Sequence, residues 1–518
     1  MLYIDQPDQT GLSYDVLANG TQDLTDGFGD VIISDFSSGV PTQNNTFLVG
    51  TFSSQLLNST ANGTTNAARA LWHFAQVWFQ TFPAYKPNDN RISIWTESYG
   101  GHYGPSFASF FEEQNMKIAN KTWTEAGDTY IIHLDTLGII NGCVDAQVQE
   151  PSYPQMAYNN TYGIKAINES LFQSSVDAYT APGGVRDLIN TCRRLAAEGD
   201  PTNQGNNVTV NNACVAADEA ANLIEEPYTL YSGRNYYDIA AIDIDPFPPN
   251  YYVGYLNQPY VQEALGIPVN FTGVGGDGPY YAFQATGDYP RSGLLEDLSY
   301  LIDSGIKVAM VYGDRDYACN WIGGEAASLA VAYSKASSFR ASGYQDIRVN
   351  GSYNGGLVRQ YGNFSFSRVF QAGHEVPAYQ PETAYEIFRR AMFNLDIASG
   401  KISTAENGSY GTAGPSSTFS IKNKAPESPQ PTCYTYALVS TCNDDQYNSV
   451  LDGTALIHDY IVIDNTTAGL FPGLGNGTSG GGASAPTKSE GAAVNLNLSG
   501  LLLILASSVL MGCFRSIG

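Results

Sequence analysis

"RISIWTESYGGHYGPSFASFFEEQ" (residues 91–114) decides how this chain folds. An apolar run, RISIW, reads as a buried strand. It breaks at Ser98 and passes through two glycines into GPSFASFFEEQNMK, a run with helical character. A strand, a tight turn and a helix around a lone serine form the arrangement in which an α/β sheet exposes a nucleophile. The same letters also suit a polar loop, so the neighbouring segments have to discriminate.

Working outward, NAARALWHFAQVWFQTFP places Leu71, Phe74, Ala75, Trp78 and Phe82 near a three-four spacing, an amphipathic helix closed by Pro83. MLYID reads as a strand opening the chain, and DTLGIINGC as an interior strand. After about residue 285 the rhythm resumes with the helix LLEDLSYLIDSG and the strand KVAMVYG. Strand, loop and helix then follow in SRVFQAGHEVPAYQPETAYEIFRRAMF. Apolar strands alternating with helices predict an α/β fold with a mostly parallel central sheet. Between 145 and 285 Tyr, Pro, Asn and Gly interrupt the pattern, which suits an inserted cap. The expected domains are therefore a first core part, 1–144, the cap, 145–285, and a second core part, 286–400. An extension, 401–470, a Gly/Ser-rich linker, 471–490, and a C-terminal signal, 491–518, complete the chain.

A serine hydroxyl needs a base to take its proton, and the base works best when a carboxylate orients it. In α/β-hydrolases these groups follow strand ends in the order Ser, acid, His. Here ISIWTESYGG supplies Ser98, KVAMVYGDRDYACNW supplies Asp314 or Asp316, and RVFQAGHEVP supplies His374. Of the other histidines, His73 sits inside a helix and His458 in the late extension. His133 lies in an apolar run, where a core role is expected. His102 is too close along the chain to reach Ser98 from across the sheet. Thr96 stands where a strict G-x-S-x-G motif has glycine, a position kept small by the tight turn.

Composition bounds the partners. The 50 acidic residues against 25 basic give a formal net charge of −25, which excludes nucleic acid as a partner and suits work in acid. N-x-[S/T] sequons recur from Asn19 to Asn476 and favour the secretory pathway. Seven cysteines agree with that compartment, and Cys192/Cys214 and Cys433/Cys442 are near enough to close short disulfide loops. No C-x-x-C, H-E-x-x-H or clustered Cys/His set occurs, so neither metal nor other cofactor is expected.

The motifs IDQPDQTGLSYD, WTESYGGHYGP, GIINGCVD, VYGDRDYACNWIGG and QAGHEVPAYQPETA together resemble the serine carboxypeptidases, chiefly the secreted, sometimes lipid-anchored fungal members. The likeness spans roughly residues 1–460. It implies an α/β-hydrolase fold and hydrolysis of the last peptide bond of a polypeptide through an acyl-enzyme at acidic pH. Ser98 would be the nucleophile, His374 the base and Asp316, rather than Asp314, the acid. Glu97 would bind the substrate's free carboxylate, Tyr99 would give a backbone oxyanion donor, and Cys319 would match a buried free thiol. An esterase or acyltransferase of the same fold, or an inactive surface glycoprotein, are the alternatives.

The ends differ in character. MLYIDQPDQTGLSYD has neither charged n-region nor apolar h-region, and the family's N-G-G-P-G oxyanion loop occurs nowhere in the 518 residues. Together these lead to the expectation of an N-terminally truncated chain that is itself inactive. At the other end GLLLILASSVLMGCF (500–514) follows small residues and a polar spacer, the pattern of a cleaved lipid-anchor signal. Peptide C-termini as substrate, and a secreted or cell-surface location with membrane contact only through that anchor, complete the expectations.

Overall fold

The computed structural model describes residues 1–471 apart from 26–28, 125–126, 244–246, 250, 273–276 and 428–431. The linker beyond 471 and the anchor signal at 491–518 therefore lie outside the described residues. The chain divides into two compact units. Among the described residues, the first contains Met1–Ser59, Ile244–Gly278 and the segment from 432 to 471, and the second contains Thr60–Asp243 and Pro279–Glu427. Residues 145–285, expected as one insertion, are thus shared between the two.

In the first unit, β1 (Ala18–Asp23) pairs antiparallel with β2 (Val31–Ile33) on one side and β3 (Phe47–Phe52) on the other. The strand expected at Met1–Asp5 does not form. Met1, Leu2 and Tyr3 are exposed, and no strand among the described residues pairs with them. The Asp5 carboxylate instead accepts the Leu12 N–H at 2.9 Å, and the Ser13 hydroxyl donates to the Asp5 carbonyl at 2.5 Å, which closes a turn.

The second unit carries the sheet that the sequence promised. After helix α1 (Thr64–Thr81) come β4 (Arg91–Glu97), helix α2 (Gly100–Ala119) and β5 (His133–Ile140). They are followed by β6 (Lys307–Gly313), β7 (Gln345–Arg348), β8 (Asn354–Tyr361) and β9 (Phe364–Val369). The strand order is β4-β5-β6-β9-β8-β7, parallel from β4 to β9 and antiparallel from β9 to β7. Every residue of β6 is buried, as a parallel strand covered on both faces requires. Its side chains alternate: Val308 and Met310 enter one core with Leu137 and Phe366, while Ala309 and Val311 enter the other with Val369 and Ile387. The β8–β9 hairpin turns at Gly362–Asn363, where Gly362 takes φ 54°.

Two details of the sequence reading need correction. The buried face of α1 is formed by Thr64, Ala67, Ala68, Trp72, Ala75 and Gln76, while Phe74 is 42% and Phe82 46% exposed. Small alanines let α1 lie close to α2, so the face chosen is the one with Ala and Trp rather than the one with most phenylalanine. His133, expected in the core, is an exposed first residue of β5. Between the strands, the helices Val185–Gly199 and Val208–Tyr231 are joined by the Cys192–Cys214 disulfide, and Cys433–Cys442 is also bonded. No helix among the described residues is long and apolar enough to cross a membrane.

Trp72→Ala should cost about 3–5 kcal/mol in denaturant unfolding, whereas Phe74→Ala should cost less than about 1. Equal losses would mean that the helix face is wrongly assigned.

Candidate active site

Parallel strands deliver their carboxyl ends to one rim of the sheet, and there three segments meet. β4 ends at Glu97 and is followed by Ser98 with φ 62°, a left-handed conformation uncommon for a residue with a Cβ. The turn is held on both sides. The Ser98 N–H donates to the Ile140 carbonyl at 3.0 Å, continuing the ladder to β5. The Ser98 carbonyl accepts from the N–H groups of Gly101 (2.9 Å) and Cys143 (3.0 Å).

The two glycines are required by proximity. A Cβ on Gly101 would lie 2.4 Å from the Cys143 carbonyl oxygen, and one on Gly100 would lie 2.4 Å from the Thr96 Cβ. Thr96 is thus accommodated by the glycine facing it, and its hydroxyl donates to the Gly100 carbonyl at 2.9 Å.

The second segment follows β6. Asp316 has no exposure to water, yet its carboxylate is fully met. Oδ1 accepts the Ala318 N–H at 2.9 Å, and Oδ2 accepts the Cys319 N–H at 3.0 Å and the Asn141 side-chain amide at 2.7 Å. The third segment follows β9 and brings His374 Nδ1 to 2.9 Å from Asp316 Oδ2. The loops after β6 and β9 are laced together by Asp314 N–H to Val369 O (3.0 Å) and Arg315 N–H to Ala372 O (2.9 Å). The His374 N–H donates to the Tyr237 carbonyl, and the Tyr237 ring lies 4.9 Å from the imidazole. His374 Nε2 makes no hydrogen bond among the described residues.

Asp314, the other aspartate of GDRD, serves a different centre. It pairs with the fully buried Arg368 at 3.1 Å and accepts from Tyr162 Oη (2.5 Å), Asn423 Nδ2 (2.8 Å) and Gln371 N–H (3.0 Å). The Arg368 guanidinium also stacks 4.4 Å above the Trp321 ring. Of the two candidates, only Asp316 meets the histidine.

Electrostatics gather Glu97 into the cluster. Burial, reinforced by the nearby charge of Glu375, pushes its carboxyl up to about 8, and it also senses His374 and Asp316. Glu375 is raised as well, chiefly by burial, with His374 opposing. Burial pulls the His374 imidazole down, but Asp316 first, then Glu375 and Glu97, outweigh it and raise it to about 9. Tyr99, on the far side of Ser98, donates its hydroxyl to Asp288 at 2.6 Å and stacks on His102. Asp288 also receives the Thr64 N–H at the start of α1, at 2.9 Å. His102 is buried with a ring nitrogen against each of two backbone carbonyls, Cys143 (2.5 Å) and Tyr289 (3.1 Å), and so stays clear of Ser98.

The free thiol expected at Cys319 is absent: its sulfur is bonded to Cys143, with the two Cα atoms 5.1 Å apart. Sequence spacing concealed this pair because its members are 176 residues apart and meet only where the β5 and β6 ends converge. Asn141 and Glu375 also went unassigned in the sequence. The visible signal for Asn141 was the Asn-Gly step closing an apolar strand.

The chain belongs to the serine carboxypeptidase family, whose model matches residues 1–394. It is 53% identical over 501 residues to Carboxypeptidase S1 homolog B of Arthroderma otae, covering 95% of this chain and 75% of the relative. It is 34% identical over 399 residues to Carboxypeptidase S1 of Penicillium janthinellum, covering 77% of this chain and 79% of the relative. Among solved structures it is similar to Kex1Δp, a prohormone-processing carboxypeptidase from Saccharomyces cerevisiae. That match has TM-score 0.44 and 18% identity over 71% of this chain and 80% of the other.

Peptide mapping without reductant should recover a linked Cys143–Cys319 pair, with iodoacetamide reaching Cys319 only after reduction. Gly101→Ala should lower stability by about 1–3 kcal/mol, read from denaturant unfolding, because backbone must shift to admit the Cβ. An unchanged midpoint would contradict the close approach.

Proposed function

We propose that this protein is a serine-type carboxypeptidase that removes C-terminal residues through an acyl-enzyme at acidic pH. The observation that carries the reading is the buried His374–Asp316 pair, whose outer nitrogen is unbonded among the described residues, on the same sheet rim as the strained Ser98 turn. Asp316 fixes the tautomer by accepting from Nδ1, which leaves Nε2 as the proton acceptor.

Ser98 Oγ attacks the carbonyl carbon of the last peptide bond while its proton passes to His374 Nε2. The backbone N–H of Tyr99, at the N-terminus of α2, donates to the oxyanion that forms. Collapse breaks the C–N bond, and His374 returns the proton to the departing amine. Water then attacks the Ser98 ester carbonyl as His374 Nε2 takes its proton; the bond to Ser98 Oγ breaks, His374 returns the proton to that oxygen, and the shortened peptide leaves.

Glu97 gives the reading its exopeptidase character. While it holds a proton, its carboxyl can donate to the substrate's terminal carboxylate; once ionised, it repels that group. Two buried carboxyls of which one senses the other's charge, as Glu97 senses Glu375, cannot both ionise readily. The same protonation removes negative charge from around His374 and eases the imidazole towards its neutral, basic form. Protonation of Glu97 thus favours acid conditions, in agreement with the acidic composition, while the charge it removes offsets only part of the rise of His374 to about 9. The sequons and the apolar tail at 500–514 support a secreted, lipid-anchored glycoprotein as its setting.

A fluorophosphonate probe should label the protein, and Ser98→Ala should abolish labelling. For peptide substrates, KM should rise as pH climbs through the titration of Glu97, and Glu97→Gln should flatten that rise. Hydrolysis of a neutral ester lacking a free carboxylate should change less than about 3-fold in the same variant. A Glu97→Gln profile identical to the parent's would refute the carboxylate-binding assignment.

A further inference from the structure

We propose that Asn141 is a positioning residue which, through Asp316, sets the orientation and proton affinity of His374. The inference deepens the proposed function and rests on that reading for its catalytic meaning. Asn141 directly follows β5 and takes φ 37°, a left-handed conformation that Asn tolerates better than other residues with a Cβ.

The backbone N–H and both polar atoms of the side chain are committed. Its backbone N–H continues the sheet to the Val311 carbonyl (2.8 Å), and its Oδ1 accepts the Gly313 N–H (2.8 Å). Its Nδ2 donates to Asp316 Oδ2 (2.7 Å) and approaches the Cys319 carbonyl at 3.4 Å. Oδ2 is the same oxygen that His374 Nδ1 meets. Asn141 therefore spans the ends of β5 and β6 at the point from which the carboxylate reaches the imidazole.

A donor on a carboxylate oxygen draws off part of its charge and favours its ionised form. Asp316 then holds the imidazole in place without attracting its second proton as strongly. Without the amide, Oδ2 keeps two donors, the Cys319 N–H and His374, and pulls harder on the latter. The other groups that face His374 are unchanged by the substitution. They are Glu97 at the end of β4, Glu375 on its own loop and the Tyr237 ring, with the Asp238–Arg315 ion pair adjoining (2.9 Å). Tyr312, which senses the Asp316 charge, donates its hydroxyl to the Gly142 carbonyl at 2.6 Å.

The structure also supplies an internal control. Asn423 makes an equivalent bond, Nδ2 to a buried aspartate oxygen at 2.8 Å, but onto Asp314, which does not touch His374.

The test is the NMR titration of the His374 imidazole in the parent, Asn141→Gly and Asn423→Gly proteins, each checked for cooperative unfolding. Glycine is chosen because it keeps the left-handed backbone and removes only the side chain. Asn141→Gly should raise the His374 midpoint by about half to one pH unit, so that at a fixed acid pH the neutral fraction falls about 3- to 10-fold. The pH profile of fluorophosphonate labelling should move by the same amount, while Asn423→Gly leaves both in place. An unmoved midpoint in Asn141→Gly, or an equal shift in Asn423→Gly, overturns the proposal. Should Asn141→Gly fail to fold, the side-chain amide protons of Asn141 in the parent are read instead. They must titrate with the His374 midpoint, and a flat response overturns the proposal. Because imidazole titration needs no turnover, a parent that never labels would refute the Ser98 reading while leaving the Asn141 coupling measurable.

Discussion

A carboxylate sealed from water must find its hydrogen-bond donors in the protein, and the demands of Asp316 organise the whole rim of the sheet. Its four donors come from three places: the end of β5 (Asn141), its own turn (Ala318 and Cys319) and the loop after β9 (His374). None of these can shift without exposing a buried charge. The Cys143–Cys319 disulfide joins two of the same segments covalently. A parallel sheet sends the ends of β4, β5, β6 and β9 to one side, and this carboxylate then draws the last three into contact.

Close backbone approach is the second constraint, and glycine marks where it acts. Gly101 lets the start of α2 touch the strand-end loop at Cys143. Gly313 does the same between β6 and the loop bearing His374, since a Cβ there would lie 2.1 Å from the Gly373 carbonyl oxygen. Both approaches bring catalytic candidates nearer than side-chain packing alone permits. The strained φ at Ser98 is sustained by three backbone hydrogen bonds, so the local cost is offset by the surrounding framework.

Asp314 and Asp316 illustrate how the tertiary environment divides two chemically identical groups. Both are wholly buried on one short turn. One faces Arg368 and becomes part of an ion pair that also gathers Tyr162, Gln371 and Asn423, tying residues 160–162 and 418–424 to the core. The other faces an imidazole and two further carboxyl groups. Charge balance therefore assigns the first to architecture, and leaves the second in a cluster whose protonation changes with pH.

The strand–turn–helix around Ser98, the apolar strands and the strand ends that bring Asp316 to His374 were legible because they depend on local periodicity and on residue types that few other arrangements need. So were the family and the short disulfides, Cys192–Cys214 and Cys433–Cys442. What escaped depended on distant neighbours. MLYID has strand composition, but strands need a partner that composition cannot supply. Trp72 rather than Phe74 faces inward because α2 selects the face. Cys319 is bonded because Cys143 arrives from a strand end 176 residues away. The sequence by itself determined which chemical groups the chain carries and the local turns that present them. Only the tertiary structure decided which of them meet, because hydrogen bonds and burial act through space between segments that chain order leaves apart.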